Sequence, residues 1–194
     1  MTRKEDILKT TIALFSKKGY GETSMAEISN LSNVAEGTIF YHFKNKEKLL
    51  LAVLERTKED ITQEFENYMS NKNFKNGMDM MEHAVSFYLY LVGKLEHQFL
   101  LLHCHFPYKL AEKNSECQKH LEAIYDCLVD IFETAIQLGI QDGSMVPLSP
   151  RKTALIIFSM VDGVARFKTY NLYNANALFN EILDSCRRML AIKR

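Results

Sequence analysis

The sequence predicts an all-α protein of about nine helices. Apolar residues recur every three or four positions through most of the 194-residue chain, the spacing of one helix face rather than of a strand. Three Pro and eight Gly are too few for a turn-rich β protein. Helix start and stop signals separate the periodic stretches.

The elements follow in order. Residues 3–18 align Leu8, Ile12 and Phe15, with Ile7 and Leu14 beside them. Lys17 and Lys18 suit the negative helix end, and Gly19 is a natural stop. Ser24 with Glu27 reads as a capping box for a short helix whose apolar side is Ile28 and Leu31. A third helix, 35–41, buries Ile39. Asn45 caps a fourth that meets no Gly or Pro before about residue 69 and carries Leu50, Leu54, Ile61, Phe65 and Tyr68. The Asn-rich stretch 67–77 reads as a linker. A fifth helix spans 78–95, and a short apolar segment, 98–108, ends at Pro107. Ser115 with Gln118 marks a second capping box, opening a long helix to Gly139. After a turn at 141–144, Ser149 caps and Pro150 opens a helix whose centre, 154–167, is apolar nearly all round. A last helix covers about 175–192.

The stretch 24–50 organises the rest. Asn33 enters the left-handed region cheaply, so it suits a tight turn between the second and third helices. Ser29 is small enough for a close crossing, and Val34 points into it. With Ile39 inward, Glu36, Gly37, Thr38, Tyr41 and His42 stay outside. Two short helices joined this way form a helix-turn-helix, whose second helix fits a DNA major groove.

The residues V-A-E-G-T-I-F-Y-H-F at 34–43, K-N-K-E-K-L-L at 44–50 and I-L-K-T-T-I-A-L-F-S-K-K-G-Y at 7–20 resemble the TetR family of bacterial transcriptional regulators. Beyond them only length and helical layout agree. The resemblance implies a three-helix DNA-binding domain (1–48), a connecting helix to about 69, and an effector-binding and dimerisation domain (70–194). It also implies that the last two helices pair with their copies across a two-fold axis, forming a homodimer on a palindromic operator. The nearly all-round apolar helix fits such a partner independently. Lys46, in the first turn of its helix, opposes the helix dipole unless an anion is near. The resemblance assigns it a DNA phosphate. Two departures stand out. Ser32-Asn33-Val34 replaces the family's usual Ala-Gly-Val, and Phe40 stands where the family carries a Tyr whose hydroxyl meets a phosphate. That contact does not carry over, and the neighbouring Tyr41 is the alternative source of a hydroxyl.

The expected DNA-binding residues are therefore Ser24, Glu36, Gly37, Thr38, Tyr41, His42 and Lys46. Phosphate affinity falls to Lys46, Ser24, Tyr41 and backbone N–H groups. Thr38 suits a thymine methyl or a phosphate, and Gly37 permits close backbone approach. Glu36 suits a cytosine amino group, or simply its own helix N-terminus. His42 suits a phosphate, or packing against the next helix.

Net charge is zero, so the whole chain is not a generic polyanion binder. Residues 1–50 hold eight Lys/Arg against six Asp/Glu, and the remainder sixteen against eighteen, a slight bias toward a DNA-facing N-terminus. Four Cys without a C-x-x-C pattern read as reduced and mostly buried. The longest apolar run, 154–161, is too short for a bilayer, and the first residues begin an amphipathic helix rather than a signal peptide; cytoplasm is the expected compartment, with no membrane partner. G-x-S-x-G, G-x-G-x-x-G and P-loop patterns are absent, and no enzyme or cofactor is expected.

In the C-terminal part, Met81, Tyr88, Phe99, Phe106, Tyr125, Phe132 and Phe158 are candidates to line a cavity for a small hydrophobic effector, or simply to fill the core. Asp162 and Arg166, at i and i+4, pair with each other, with a polar partner across a dimer, or hold the effector's polar end. His103 joins the effector candidates. It also belongs to a His/Cys set with His97, Cys104, His105, Cys117 and His120, whose spacing matches no tight metal motif. Residues 113–116 and 140–143 loosely resemble the acyl-CoA-responsive branch of the family; drug-like effectors are the other class. Two further readings stay open: a metal- or redox-responsive regulator using those His and Cys residues, and a helical adaptor that binds only protein.

Overall fold

Ten α-helices and one short 3-10 turn, with no strand, make up the residues described by the computed structural model, which are 2–70 and 72–192, the side chains of Ala175 and Asn176 aside. The helices are α1 (Arg3–Lys17), α2 (Met25–Ser32), α3 (Glu36–Phe43), α4 (Lys46–Ser70), α5 (Gly77–Lys94), α6 (Glu96–His103), α7 (His105–Ala111), α8 (Ser115–Gln141), α9 (Pro150–Thr169) and α10 (Phe179–Leu190). The 3-10 turn, Ala175–Leu178, leads into α10. No helix among the described residues is long and apolar enough to cross a membrane.

The tenth helix comes from the segment that the sequence reading ended at Pro107. Pro107 instead lies in the first turn of α7, where its missing N–H has no partner to lose. Two caps also differ. Asn114, not Ser115, opens α8: its Oδ1 accepts from the N–H groups of Glu116 (2.9 Å) and Cys117 (3.0 Å). Ser149 holds the N-cap position of α9, but its hydroxyl makes no capping bond. Half of the expected linker is helix, because α4 runs to Ser70 and α5 begins at Gly77.

The chain forms two compact units. One holds residues up to Asp60 together with Leu95–Ile124. Its core is Ile7, Leu8, Ile12, Phe15, Ile28, Val34, Ile39, Phe43, Leu49, Leu50 and Val53, with Leu101 of α6 among them. Burying such side chains contributes about 1.5–3 kcal/mol each. Asn114 donates to the Glu47 carboxylate at 2.6 Å and Lys48 pairs with Glu116, tying the start of α8 to the start of α4.

The second unit holds Ile61–Lys94 and residues from Tyr125 on. Its buried side chains include Met81, Val85, Phe87, Tyr88, Leu91, Ile131, Phe132, Ile157, Val161 and Ile182. The α8–α9 turn caps α5: Asp142 accepts from the Gly77 N–H at 2.6 Å, and the Ser144 hydroxyl from Met78 at 3.3 Å. Ser144 and the Gly77 N–H hold the Asp142 carboxyl below its usual range. Arg151 of α9 bridges three carboxylates on α8, those of Asp126, Asp130 and Glu133. Arg187 of α10 grips Glu82 of α5 with two bonds of 2.7 and 2.8 Å.

Candidate nucleic-acid interface

The turn between α2 and α3 is fixed from both sides. Asn33 is left-handed, φ 54° and ψ 33°, as its residue type led us to expect. Ser29 closes the turn twice. Its carbonyl accepts from the Val34 N–H at 3.2 Å, and its hydroxyl donates to the Val34 carbonyl at 2.8 Å. Ser24 caps α2, its hydroxyl accepting from the Glu27 N–H at 3.1 Å. The Glu27 carboxylate accepts from Lys18 at 2.8 Å, and that bond holds its carboxyl below the usual range. Leu31, expected on the inner face of α2, is 59% exposed; Ile28 alone of that helix is buried.

Ile39 and Phe43 anchor α3 in the core, which turns its other side outward. Tyr41 is 82% exposed, and Glu36, Gly37, Phe40 and His42 are exposed beside it, while Thr38 is half-buried. A β-carbon at Gly37 would meet no heavy atom within 4 Å, so the backbone there is open to close approach. The α3 C-terminus is the second unusual backbone position. Lys44 has φ 57° and ψ −44°, a region L side chains seldom adopt. As neither Gly nor Asn, it carried no signal of this in the sequence.

Asn45 caps α4, accepting from the Lys48 N–H at 2.8 Å. Lys46, first residue of α4, is not the free surface lysine its position suggests. Its Nζ donates to the Gly21 carbonyl at 3.3 Å and stands 4.3 Å from the centre of the Tyr20 ring. Burial lowers its pKa, against an opposing pull from Glu22. Sequence reasoning passed over Tyr20; only folding brings it to Lys46.

The other candidates divide between the two units. Tyr88, Tyr125, Phe132 and Phe158 meet in the second unit, with Tyr88 lying 6.0 Å from Phe132 and 5.8 Å from Phe158 between ring centres, and Tyr125 5.9 Å from Phe158. The Tyr88 hydroxyl donates to Asp162 at 2.6 Å, and Arg166 is exposed. Met81 is fully buried in the same unit. Phe99, His103 and Phe106 lie in the first unit, where Phe99 and His103 meet edge to face and Phe106 stacks on Tyr20. Of the His/Cys set, His97 is hydrogen-bonded to Ser16 at 3.3 Å, and the buried Cys117 thiol donates to the Pro107 carbonyl at 3.5 Å. Among the described residues no three His, Cys, Asp or Glu side chains gather to hold a metal.

Residues 7–53 match the family described as bacterial regulatory proteins, tetR family. The HTH-type transcriptional regulator YerO of Bacillus subtilis is 45% identical over 53 residues, which is 27% of this chain and 18% of that protein's length. The fatty acid metabolism regulator protein of Bacillus subtilis is 22% identical over 181 residues, 92% of this chain and 90% of that protein. The crystal structure of the transcriptional regulator FadR from Bacillus subtilis, in complex with stearoyl-CoA, superposes with a TM-score of 0.74 at 22% identity, covering 94% of this chain and 96% of that one. That likeness extends the same all-helical fold over nearly the full length, beyond the matched N-terminal residues. A left-handed turn between two short helices, an outward α3 and the matched stretch together identify residues 7–53 as a domain of the bacterial regulatory proteins, tetR family.

Proposed function

We propose that the chain is a DNA-binding repressor that reads an approximately palindromic operator as a homodimer and responds to a small hydrophobic effector. The observation that carries this reading is the outward side of α3, where Tyr41, the open Gly37 and the exposed Glu36 and His42 stand on an Ile39–Phe43 anchor. A side exposed in this way fits a major groove. Ser24, Thr38, Tyr41 and Lys46 serve phosphates and the groove wall, with Lys46 supplying the principal charge.

Pairing falls to α9 and α10, with the DNA-binding role in residues 1–48 and effector binding and dimerisation in 70–194. Leu155 and Ile156 on α9 are 45% and 55% exposed in the single chain and share an apolar patch with Ser159 and Met160. Half-sites read by the two α3 helices of such a dimer lie roughly 34 Å apart, one turn of DNA.

The effector site centres on Tyr88, Phe132, Phe158 and Tyr125, with the Tyr88–Asp162 pair as its polar end. Long-chain acyl-CoA is the first class to test, since the Bacillus subtilis relative solved with stearoyl-CoA shares the fold over nearly the whole chain. The effector acts only as far as it binds one arrangement of the dimer better than the other.

DNase footprinting on DNA upstream of the chain's own gene tests this. Two protected half-sites related by approximate two-fold symmetry are expected, altered when stearoyl-CoA is added. Uniform cleavage at saturating protein would contradict the DNA-reading role. An unchanged footprint with stearoyl-CoA, and no acyl-CoA retained in native mass spectrometry, would contradict the effector class alone.

A further inference from the structure

We propose that Tyr20 and Phe106 are positioning residues for the Lys46 ammonium, holding it at the place where a DNA phosphate meets the start of α4. This rests on the phosphate role of Lys46 proposed above.

The geometry is a column of three groups in one compact unit. Phe106 of α7 stacks on Tyr20, ring centres 3.8 Å apart and planes within 13°. The Lys46 Nζ lies 4.3 Å from the Tyr20 ring centre, well within the roughly 6 Å over which a cation is attracted to an aromatic face. Phe15 tilts against Tyr20 at 5.2 Å, so the ring is braced by two neighbours. Phe106 is held in turn, because α7 buries Pro107 and the Tyr108 hydroxyl donates to the Leu102 carbonyl at 2.6 Å.

A lysine ammonium has three N–H donors on a flexible stem. Here one donor goes to the Gly21 carbonyl at 3.3 Å and the ring covers another side of the nitrogen. The stem is therefore ordered before DNA arrives, and less side-chain freedom is lost on binding. Partial burial, which depresses the Lys46 pKa, also removes water that a phosphate would otherwise displace. A surface lysine needs none of this; a lysine that must meet one phosphate in one register gains from all of it. The column also gives α7 a route to the DNA-contacting end of α4, through Phe106.

A double-mutant cycle on DNA affinity tests the assignment. Fluorescence anisotropy with a labelled duplex from upstream of the chain's own gene, at one fixed salt concentration, is read for Tyr20→Leu, Tyr20→Phe and Phe106→Leu. Each is made with Lys46 present and in a Lys46→Ala background. With Lys46 present, Tyr20→Leu should weaken binding about threefold for each bound chain, the size of a partly exposed cation–π contact. Phe106→Leu should act in the same direction, and Tyr20→Phe, which keeps the ring, should restore near wild-type affinity. In the Lys46→Ala background the Leu variants should cost nothing further. Equal losses in both backgrounds would make the two rings mere packing and overturn the proposal, as would no loss from Tyr20→Leu or Phe106→Leu beside an intact Lys46. If Tyr20→Leu lowers the folded fraction by circular dichroism, Phe106→Leu alone decides. Should Lys46→Ala leave DNA affinity untouched, the phosphate role itself fails, and the positioning role with it.

Discussion

Replacing Gly77 by Ala should destabilise the protein, although Ala is the better helix former. A β-carbon at Gly77 would stand 2.0 Å from the Gly139 nitrogen, 2.2 Å from its Cα and 2.8 Å from the Ala135 carbonyl oxygen. All three are backbone atoms of α8, so no side chain can swing away; the α5–α8 crossing itself must open. Opening it also pulls the Gly77 and Met78 N–H groups off Asp142 and Ser144. Overpacking costs about 1–3 kcal/mol, and a rigid backbone contact belongs at the upper end. Restricting the unfolded chain returns about 0.4–1 kcal/mol, leaving a net loss of about 2 kcal/mol. For a chain of this size that is a fall in Tm of roughly 4–8 °C. Gly139→Ala is the control. The three atoms nearest its β-carbon would all belong to the Met145 side chain, from 2.6 Å, and a flexible thioether can move. Thermal melts followed by far-UV circular dichroism, at one protein concentration, should rank Gly77→Ala well below Gly139→Ala. Gly77→Ala matching or exceeding the wild type would refute the close crossing.

Two further outcomes follow from the backbone and the core. At Asn33, φ 54° penalises any residue with a β-carbon that lacks the Asn side chain's local bonding: Asn33→Ala should cost about 1–2 kcal/mol in urea unfolding, while Asn33→Gly should be neutral or slightly stabilising. Burial of Cys186, 2% exposed, raises its thiol pKa to about 11. The unfolded chain gives up that proton near the ordinary value of 9, while the native state keeps it. Its contribution to stability is therefore complete below pH 9 and is lost as pH rises toward 11. Cys186→Ala should flatten that part of the stability–pH curve, and native alkylation at pH 8 mapped by mass spectrometry should find the buried Cys186 and Cys117 slower than the half-buried Cys104 and Cys127.

The DNA-reading end was legible in the sequence because its signals are local. The left-handed Asn33, the Gly19 stop, the Asn45 cap and the inward Ile39 each depend on a few adjacent residues, and the structure holds each as read. What escaped depends on long-range packing. Ser115–Gln118 had the form of a capping box, yet Asn114 caps α8 while its amide reaches Glu47, a residue 67 positions away. Leu31 fits the apolar spacing of α2, yet Ile28 alone of that helix is buried and Leu31 is 59% exposed. Pro107 reads as a stop by its residue type, but it lies in the first turn of α7, which follows α6 after a single residue. Residues after Leu95 read as part of a separate C-terminal domain, whereas Leu101 and Phe106 pack with the N-terminal core. No local pattern marks the column from Phe106 through Tyr20 to Lys46, whose members are far apart in the chain.

The most direct test is a titration of the purified chain into a labelled duplex from upstream of its own gene, repeated across a series of salt concentrations. Two chains per duplex, preference over a scrambled duplex of equal length, and a linear fall of log K with log salt are expected, the slope shallower by about two in Lys46→Ala, one for each bound chain. A single chain bound without sequence preference, or an affinity indifferent to salt, would contradict a paired helix-turn-helix reading the major groove.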